Sequence, residues 1–251
     1  MSDYIEQAIA RGVGEIGLTD HLFLYYQPLE LRDPQWAMSE DQYPLHYEEM
    51  LELRDRYSDR IKVRVAVEAD FVEGHEASLT GILSQYRFDY ILGAVHFMDG
   101  WLIDAPENIH KYREERIIEI YRRYYSNVRK AVELNVFDVI AHLDLPKKFG
   151  LLPERELKRE VNDVLDAIAD HGVAVELSTA GLRKPIREIY PAITILQRMK
   201  QRDIHIVLSS DAHDPSEIAW EYESALQILD FIGYKTLITF DRREYREAPL
   251  G

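Results

Sequence analysis

Short apolar runs alternate with longer amphipathic ones along most of this chain. Runs of strand length lie near Glu15–Leu18, Ile61–Val67, Tyr90–Val95, Val136–Ala141, Val173–Leu177, Ile204–Leu208 and Thr236–Phe240, as buried strands of a covered sheet require. Between them, helical periodicity with charged faces predicts helices over Asp3–Arg11, Pro44–Tyr57, His75–Tyr86, Glu107–Leu134, Glu154–His171, Ile186–Arg202 and Ser216–Ile232. Ser2 or Asp3 suits the cap of the first, and Ser216 with its neighbouring acids suits the start of the last. Gly12, Gly172 and Gly233 each fall just after a predicted helix and before a predicted strand, where a left-handed residue ends a helix. Repetition of helix, glycine and strand predicts parallel βα units. No Pro/Gly/Ser-rich linker or low-complexity tract divides residues 1–251, so a single α/β domain is expected. The longest irregular stretch, Leu22–Tyr43, contains Pro28, Pro34 and several aromatics and directly follows His21. That position suits an active-site loop or lid.

The strand ends carry the chemistry. Thr19-Asp20-His21, Val67-Glu68-Ala69-Asp70, Ala94-Val95-His96, Ala141-His142-Leu143-Asp144 and Ser209-Ser210-Asp211-Ala212-His213 each follow an apolar run. In a parallel sheet these side chains converge at the carboxyl edge, where α/β and barrel enzymes build their sites. The chain has no cysteine, which excludes disulfides and thiolate metal sites. Any metal must be held by His, Asp and Glu, a set suited to Zn, Mn or Fe without choosing among them.

Such metals polarise phosphoryl or carbonyl oxygens and lower the pKa of a bound water to about 7. A carboxylate bridges two cations about 3.5–4 Å apart, and Glu68 at a strand end is the best candidate. His96 and His142 complete a two-His, one-Glu set. One histidine alone is ordinarily a surface or satisfied core residue; placement of ligand types after five apolar runs is what carries the metal reading. By the same reasoning His46, His75, His110 and His171, in predicted helices or at their edges, and His205, at a strand start, are structural or surface residues. Asp144 either orients His142 or begins the next loop. Asp20 and Asp70 flank proposed ligands, and strand alternation turns adjacent side chains to opposite faces.

A balance of 30 basic against 45 acidic residues, net −15, argues against nonspecific binding to nucleic acid or anionic membranes. A small anionic substrate remains compatible, because a metal cluster reverses the local field. No apolar run approaches the roughly 20 residues that span a bilayer. Residues 1–20 lack a basic start followed by an apolar core, so a cytoplasmic protein is expected. The oligomeric state is left open.

These five motifs, with Gly93-Ala94-Val95-His96, the run His142-Leu143-Asp144-Leu145-Pro146-Lys147-Lys148-Phe149 and Ser178-Thr179-Ala180-Gly181-Leu182-Arg183, resemble the PHP (polymerase and histidinol phosphatase) superfamily and most closely its histidinol-phosphatase branch. The resemblance runs from about residue 3 to the end. It implies a distorted (β/α)7 barrel with up to three metals at its carboxyl face. The implied reaction is hydrolysis of a small phosphate monoester, L-histidinol phosphate to L-histidinol, with a metal-bound hydroxide as nucleophile in place of any protein side chain. Carried over motif by motif, Glu68 is the bridging carboxylate and shares one metal with His96 and His142. Asp211 binds a second, and His21 with His213 a third. Arg183 and Lys148 are candidate phosphate contacts, Arg183 as a bidentate fork, and Asp104 is a candidate for a cationic amine or imidazole. Each cation has a plainer reading as a helix-start or surface charge.

Family members begin with a strand carrying His-x-His and a short loop with a further His. Here Met1-Ser2-Asp3-Tyr4 lies already within the first predicted helix, so that strand and three ligands are expected to be missing. The Glu68, His96 and His142 set stays complete, whereas Asp211 keeps only Glu68 and the His21–His213 pair lacks a third ligand. A start codon assigned too late is preferred over a genuine truncation. The alternatives are a PHP-type phosphoesterase acting on a nucleotide or sugar phosphate and a noncatalytic metal-binding protein. An amidohydrolase barrel would need a ligating lysine at a strand end, which has no clear counterpart.

Overall fold

The apolar runs pair side by side, in parallel, and the amphipathic segments cover their outer face. In the computed structural model, which describes all residues except Glu115 and Gly251, helix α1 (Ser2–Ala10) passes through left-handed Gly12 into β1 (Glu15–Leu18). Helix α2 (Tyr43–Arg56) leads to β2 (Lys62–Asp70), and α3 (Glu76–Leu83) to β3 (Tyr90–Ala94). A small antiparallel hairpin, β4 (Phe97–Met98) with β5 (Trp101–Leu102), follows. Then come α4 (Lys111–Glu114), α5 (Ile117–Glu133), β6 (Val139–Ile140), α6 (Lys158–His171), β7 (Ala174–Ser178), α7 (Ile193–Lys200), β8 (Ile206–Ser209) and α8 (Tyr222–Ile232). Strands β1-β2-β3-β6-β7-β8 form one six-stranded parallel sheet in that order. The result is the (β/α)7 pattern short of one strand, an open half-barrel with β1 and β8 as its edges.

Period-two alternation divides the side chains of each strand. Val63, Val65 and Val67 of β2, Ile91 of β3 and Val175 and Leu177 of β7 face the helices and form the main core. Leu92, Ala94, Val139, Ala141 and Ala174 face the inside, where they meet Ile238 and Phe240. Those two belong to β9 (Thr236–Asp241), which pairs antiparallel with β10 (Glu244–Pro249). The Thr236–Phe240 run is therefore a plug for the barrel interior and no part of the parallel sheet. Salt bridges from Arg64 to Asp241 and from Arg243 to Asp138 tie this hairpin to the sheet. β10 is largely exposed, so no apolar run announced it.

Several helices are shorter than their periodicity predicts, among them α3 and α6, which lose about a turn each against His75–Tyr86 and Glu154–His171. Glu107–Leu134 divides into α4 and α5, and Ile186–Arg202 reduces to α7. In the second case Pro191, without an amide proton and hostile to helical geometry at its predecessor, delays the start. The Ser216–Ile232 segment opens with a single 3-10 turn, Pro215–Glu217, before α8. Among the described residues no helix is long and apolar enough to cross a membrane.

Candidate metal centre

Glu68 and Asp70 lie two residues apart on β2, so both point inside the half-barrel, and His96 leaves the end of β3 on the same side. His142 requires a different device. Val139 and Ala141 pack inside while Ile140 packs outside, so alternation would send residue 142 outward. A left-handed φ of +25° at His142 reverses that direction, and the buried Glu176 carboxylate of β7 accepts the His142 backbone N–H at 2.8 Å.

Glu68 Oε1 lies 3.0 Å from His142 Nε2 and 3.6 Å from His96 Nε2, and the two Nε2 atoms are 3.1 Å apart. Bonds of about 2.0–2.1 Å in tetrahedral geometry place neighbouring donors about 3.3 Å apart. These three therefore fit one divalent cation. Two imidazole nitrogens facing each other at this distance compete for a single proton, whereas a shared cation satisfies both. The second Glu68 oxygen, Oε2, faces His21 Nδ1 at 4.0 Å. His21, Glu68 and His96 also form a looser group with ligand atoms within 4.8 Å of one another. One carboxylate thus turns its two oxygens towards two imidazole groups, the arrangement a bridging ligand needs.

Asp211 and His213 follow β8. Asp211 has φ +46°, and His213 Nδ1 is 3.1 Å from the Asp211 carbonyl oxygen and 3.6 Å from its Oδ1. His213 is two-thirds exposed. Both residues line a cavity of about 470 Å³ together with His21, Glu68, His96 and His142. The tight set is Glu68, His96 and His142; Asp211 and His213 stand at the rim.

Burial works against the Glu68 carboxylate, yet His21, His142 and His96 around it hold it well below the usual carboxylate range. Burial likewise opposes a charge on His96, but the adjoining Asp70 carboxylate outweighs it and pushes His96 up to about 10. Burial also opposes charge on His142, whose pKa the Glu68 hydrogen bond raises. In the metal-free chain His96 consequently keeps a proton at neutral pH. Its stabilisation is full below the ordinary value of 6.5 and is lost as pH rises through about 10. Ligation needs the neutral ring. Metal uptake is expected to release about one proton, with affinity rising with pH up to about 10. Calorimetry in buffers of different ionisation enthalpy measures this, and heats independent of buffer would contradict it.

Asp70 Oδ1 lies 2.8 Å from His96 Nδ1 and accepts the His96 backbone N–H, leaving Nε2 to face the metal position. Tyr26 in turn donates to Asp70 Oδ2 at 3.0 Å, and Tyr25 to the Asp70 carbonyl at 2.6 Å. The irregular Leu22–Tyr43 segment thus clamps the carboxylate that orients a ligand. Partners of this kind change metal affinity about 10–100-fold. Asp70→Ala is expected to lose that much, read by competition with a chromophoric chelator; unchanged affinity would remove Asp70 from the site.

The remaining sequence candidates resolve differently. Asp144 does not touch His142; it pairs with Lys147 at 2.9 Å and accepts the Ala192 N–H, as a loop-forming residue does. Lys148 and Asp104 pair with each other at 2.9 Å, and both line the cavity. Arg183 donates through Nη2 to the carbonyls of Ser210 and Asp211, and its Nε lies 3.0 Å from Glu217. Its guanidinium, stacked over Trp220, braces the Asp211 loop from behind. His46 pairs with Asp20 at 3.3 Å, His110 and His171 bond to nearby backbone carbonyls, and His205 packs on Tyr245. Sequence reading did not single out Glu176, or Lys184, which lines the cavity. For Glu176 the signal was available, as an acid at an inward position of an apolar strand; burial, with Asp211 and Glu68 nearby, pushes it up to about 7.

The family model described as PHP domain matches residues 1–180. A protein of Deinococcus radiodurans named "Probable histidinol-phosphatase" is 34% identical over 244 residues, covering 96% of this chain and 90% of that protein. The histidinol-phosphatase of Bacillus subtilis is 27% identical over 248 residues, covering 90% and 92%. Among solved structures, histidinol phosphate phosphatase of Lactococcus lactis, complexed with Zn, L-histidinol and phosphate, superposes with a TM-score of 0.79 at 20% identity, covering 98% of this chain and 92% of that one. At that identity the likeness shows the fold. The extent of the family match and the 34% identity together establish that this chain belongs to the PHP domain family, beside the members named histidinol-phosphatases.

Proposed function

We propose that this chain is a metal-dependent phosphomonoesterase of the cytoplasm whose substrate is L-histidinol phosphate, released as L-histidinol and phosphate. The observation that carries the reading is the buried Glu68–His96–His142 set, with donors at the spacing of a tetrahedral site. Names borne by relatives over nearly the whole chain supply the substrate. A divalent cation there polarises a phosphoryl oxygen and activates water. The chain's own residues do the rest. Glu68, His96 and His142 hold the cation, Asp70 fixes the His96 tautomer, and Glu176 fixes the His142 backbone. The cavity wall of Leu24, Tyr26, Trp36 and Tyr190 suits a planar imidazole.

Asp211, His213 and His21 belong to the same site in this reading, with further metals completed by a strand seated between the open edges β1 and β8. A cavity of about 390 Å³ lies there, bounded by Leu18, Val207 and Glu176. About one tightly held metal is expected for this chain, and up to three for a chain extended by its in-frame upstream codons; equal content in both would remove the strand from the site.

The functional test is phosphate release by metal-loaded extended protein from histidinol phosphate and from a generic aryl phosphate. Higher efficiency on the aryl ester would sink the specific assignment. Absence of metal from the folded extended protein would sink the enzyme reading.

A further inference from the structure

Among the described residues, the cations around the cavity differ in how they are held. Lys148 is bound to the carboxylate and carbonyl of Asp104 at 2.9 and 2.8 Å. Arg183 is held by Glu217 and two backbone carbonyls. Lys147 is buried against Asp144 and Glu188. Lys184 lines the cavity with Lys148, His96 and Asp211, yet among the described residues its ammonium makes no hydrogen bond or ion pair. It is only part-exposed.

We propose that Lys184, seconded by Lys148, is the seat of the substrate's phosphate, an assignment that rests on the phosphomonoesterase reading. A half-buried ammonium that reaches no carboxylate directly, with Asp211 and Glu217 acting on it only from a distance, is poorly compensated in the empty protein. Burial, with the like charge of Lys148 beside it, lowers the Lys184 pKa. A phosphate dianion entering the cavity relieves both effects. Lysine binds phosphate as a point charge, through hydrogen bonds strengthened by both charges. The 3-10 turn Ala180–Arg183 ends directly before Lys184, and Arg183 ties that turn to the Asp211 loop. The cation is thereby placed relative to the ligand side chains by two loops bonded to each other. Arginine was the sequence-level choice for phosphate; the fold commits Arg183 to bracing and leaves the neighbouring lysine for the ligand.

Inorganic phosphate is the probe, titrated calorimetrically into the zinc-loaded full chain. Lys184→Met is expected to weaken phosphate about tenfold to hundredfold, the span of a hydrogen bond to a charged group, while affinity for L-histidinol stays within about twofold. Lys184→Arg is expected to restore most of the phosphate affinity. Phosphate bound by Lys184→Met as tightly as by the unaltered chain would overturn the assignment, as would equal losses for phosphate and histidinol, which would mark a structural role. Hydrolysis is read separately: a chain that binds phosphate through Lys184 but releases none from histidinol phosphate leaves this assignment standing and defeats the phosphatase reading.

Discussion

Glu68→Gln is expected to strip this chain of its tightly held metal. The substitution keeps the shape of the side chain and removes its charge. The Glu68 carboxylate turns to His21, His96 and His142 together, with its Oε1 3.0 Å from one imidazole nitrogen and 3.6 Å from another. A neutral amide also presents an N–H₂ group to a position that needs a lone pair. Loss of an orienting partner such as Asp70 costs about 10–100-fold in metal affinity, so loss of the shared carboxylate is expected to exceed about a hundredfold. Two readouts separate this from unfolding. Zinc content after gel filtration should fall from about one per chain to near zero, while far-ultraviolet circular dichroism stays unchanged. In the metal-free variant His142 loses the carboxylate charge that helped to raise its pKa, so its ring gives up its proton at lower pH, visible by proton NMR. Zinc retained by Glu68→Gln at the level of the unaltered chain would refute the central role of this carboxylate.

The largest effect on stability is expected from Lys147→Met. Lys147 and Asp144 are each only 3% exposed. The Lys147 ammonium lies 2.9 Å from Asp144, 2.7 Å from Glu188 and 2.7 Å from the Ile189 carbonyl, above the Tyr190 ring. Methionine preserves the apolar stem and abandons Asp144 as an uncompensated buried charge. Breaking a buried pair in this way costs about 3–5 kcal/mol. Burial already holds the Asp144 pKa above its ordinary 3.8, with Lys147 pulling it back down. An acid raised in the folded state destabilises as pH climbs above its unfolded value. Without Lys147 the rise is greater, so the deficit should be small near pH 4 and grow towards neutrality. Urea unfolding across that range measures it. The double variant with Asp144→Asn should recover part of the loss, because the buried charge is then gone from both sides. A deficit independent of pH would assign the effect to packing instead.

Much of the site was legible because strand periodicity and ligand chemistry coincide. Glu68, Asp70 and His96 follow from alternation alone, since an inward position stays inward to the strand end. His142 followed from its residue type only; its direction depends on a left-handed backbone that no apolar pattern announces. Arg183, with its bidentate fork, was the natural phosphate contact to read from the sequence, ahead of the adjacent Lys184. Glu217, far along the chain, engages that arginine at 3.0 Å, which no local pattern announces. Asp144 likewise waits on Lys147 and the Ala192 amide to show that it is no partner of His142.

The sequence by itself determined the parallel βα architecture, the strand ends that carry the candidate ligands, the absence of thiolate chemistry and the PHP family. These are local properties, set by period, composition and the residues that end each run. Only the tertiary structure decided which oxygen of Glu68 faces which imidazole, which carboxylates engage Arg183 and Lys148, and that Thr236–Phe240 fills the barrel instead of extending it. Those outcomes depend on distances between residues far apart in the chain, and such distances exist only once the sheet has curved and its loops have docked.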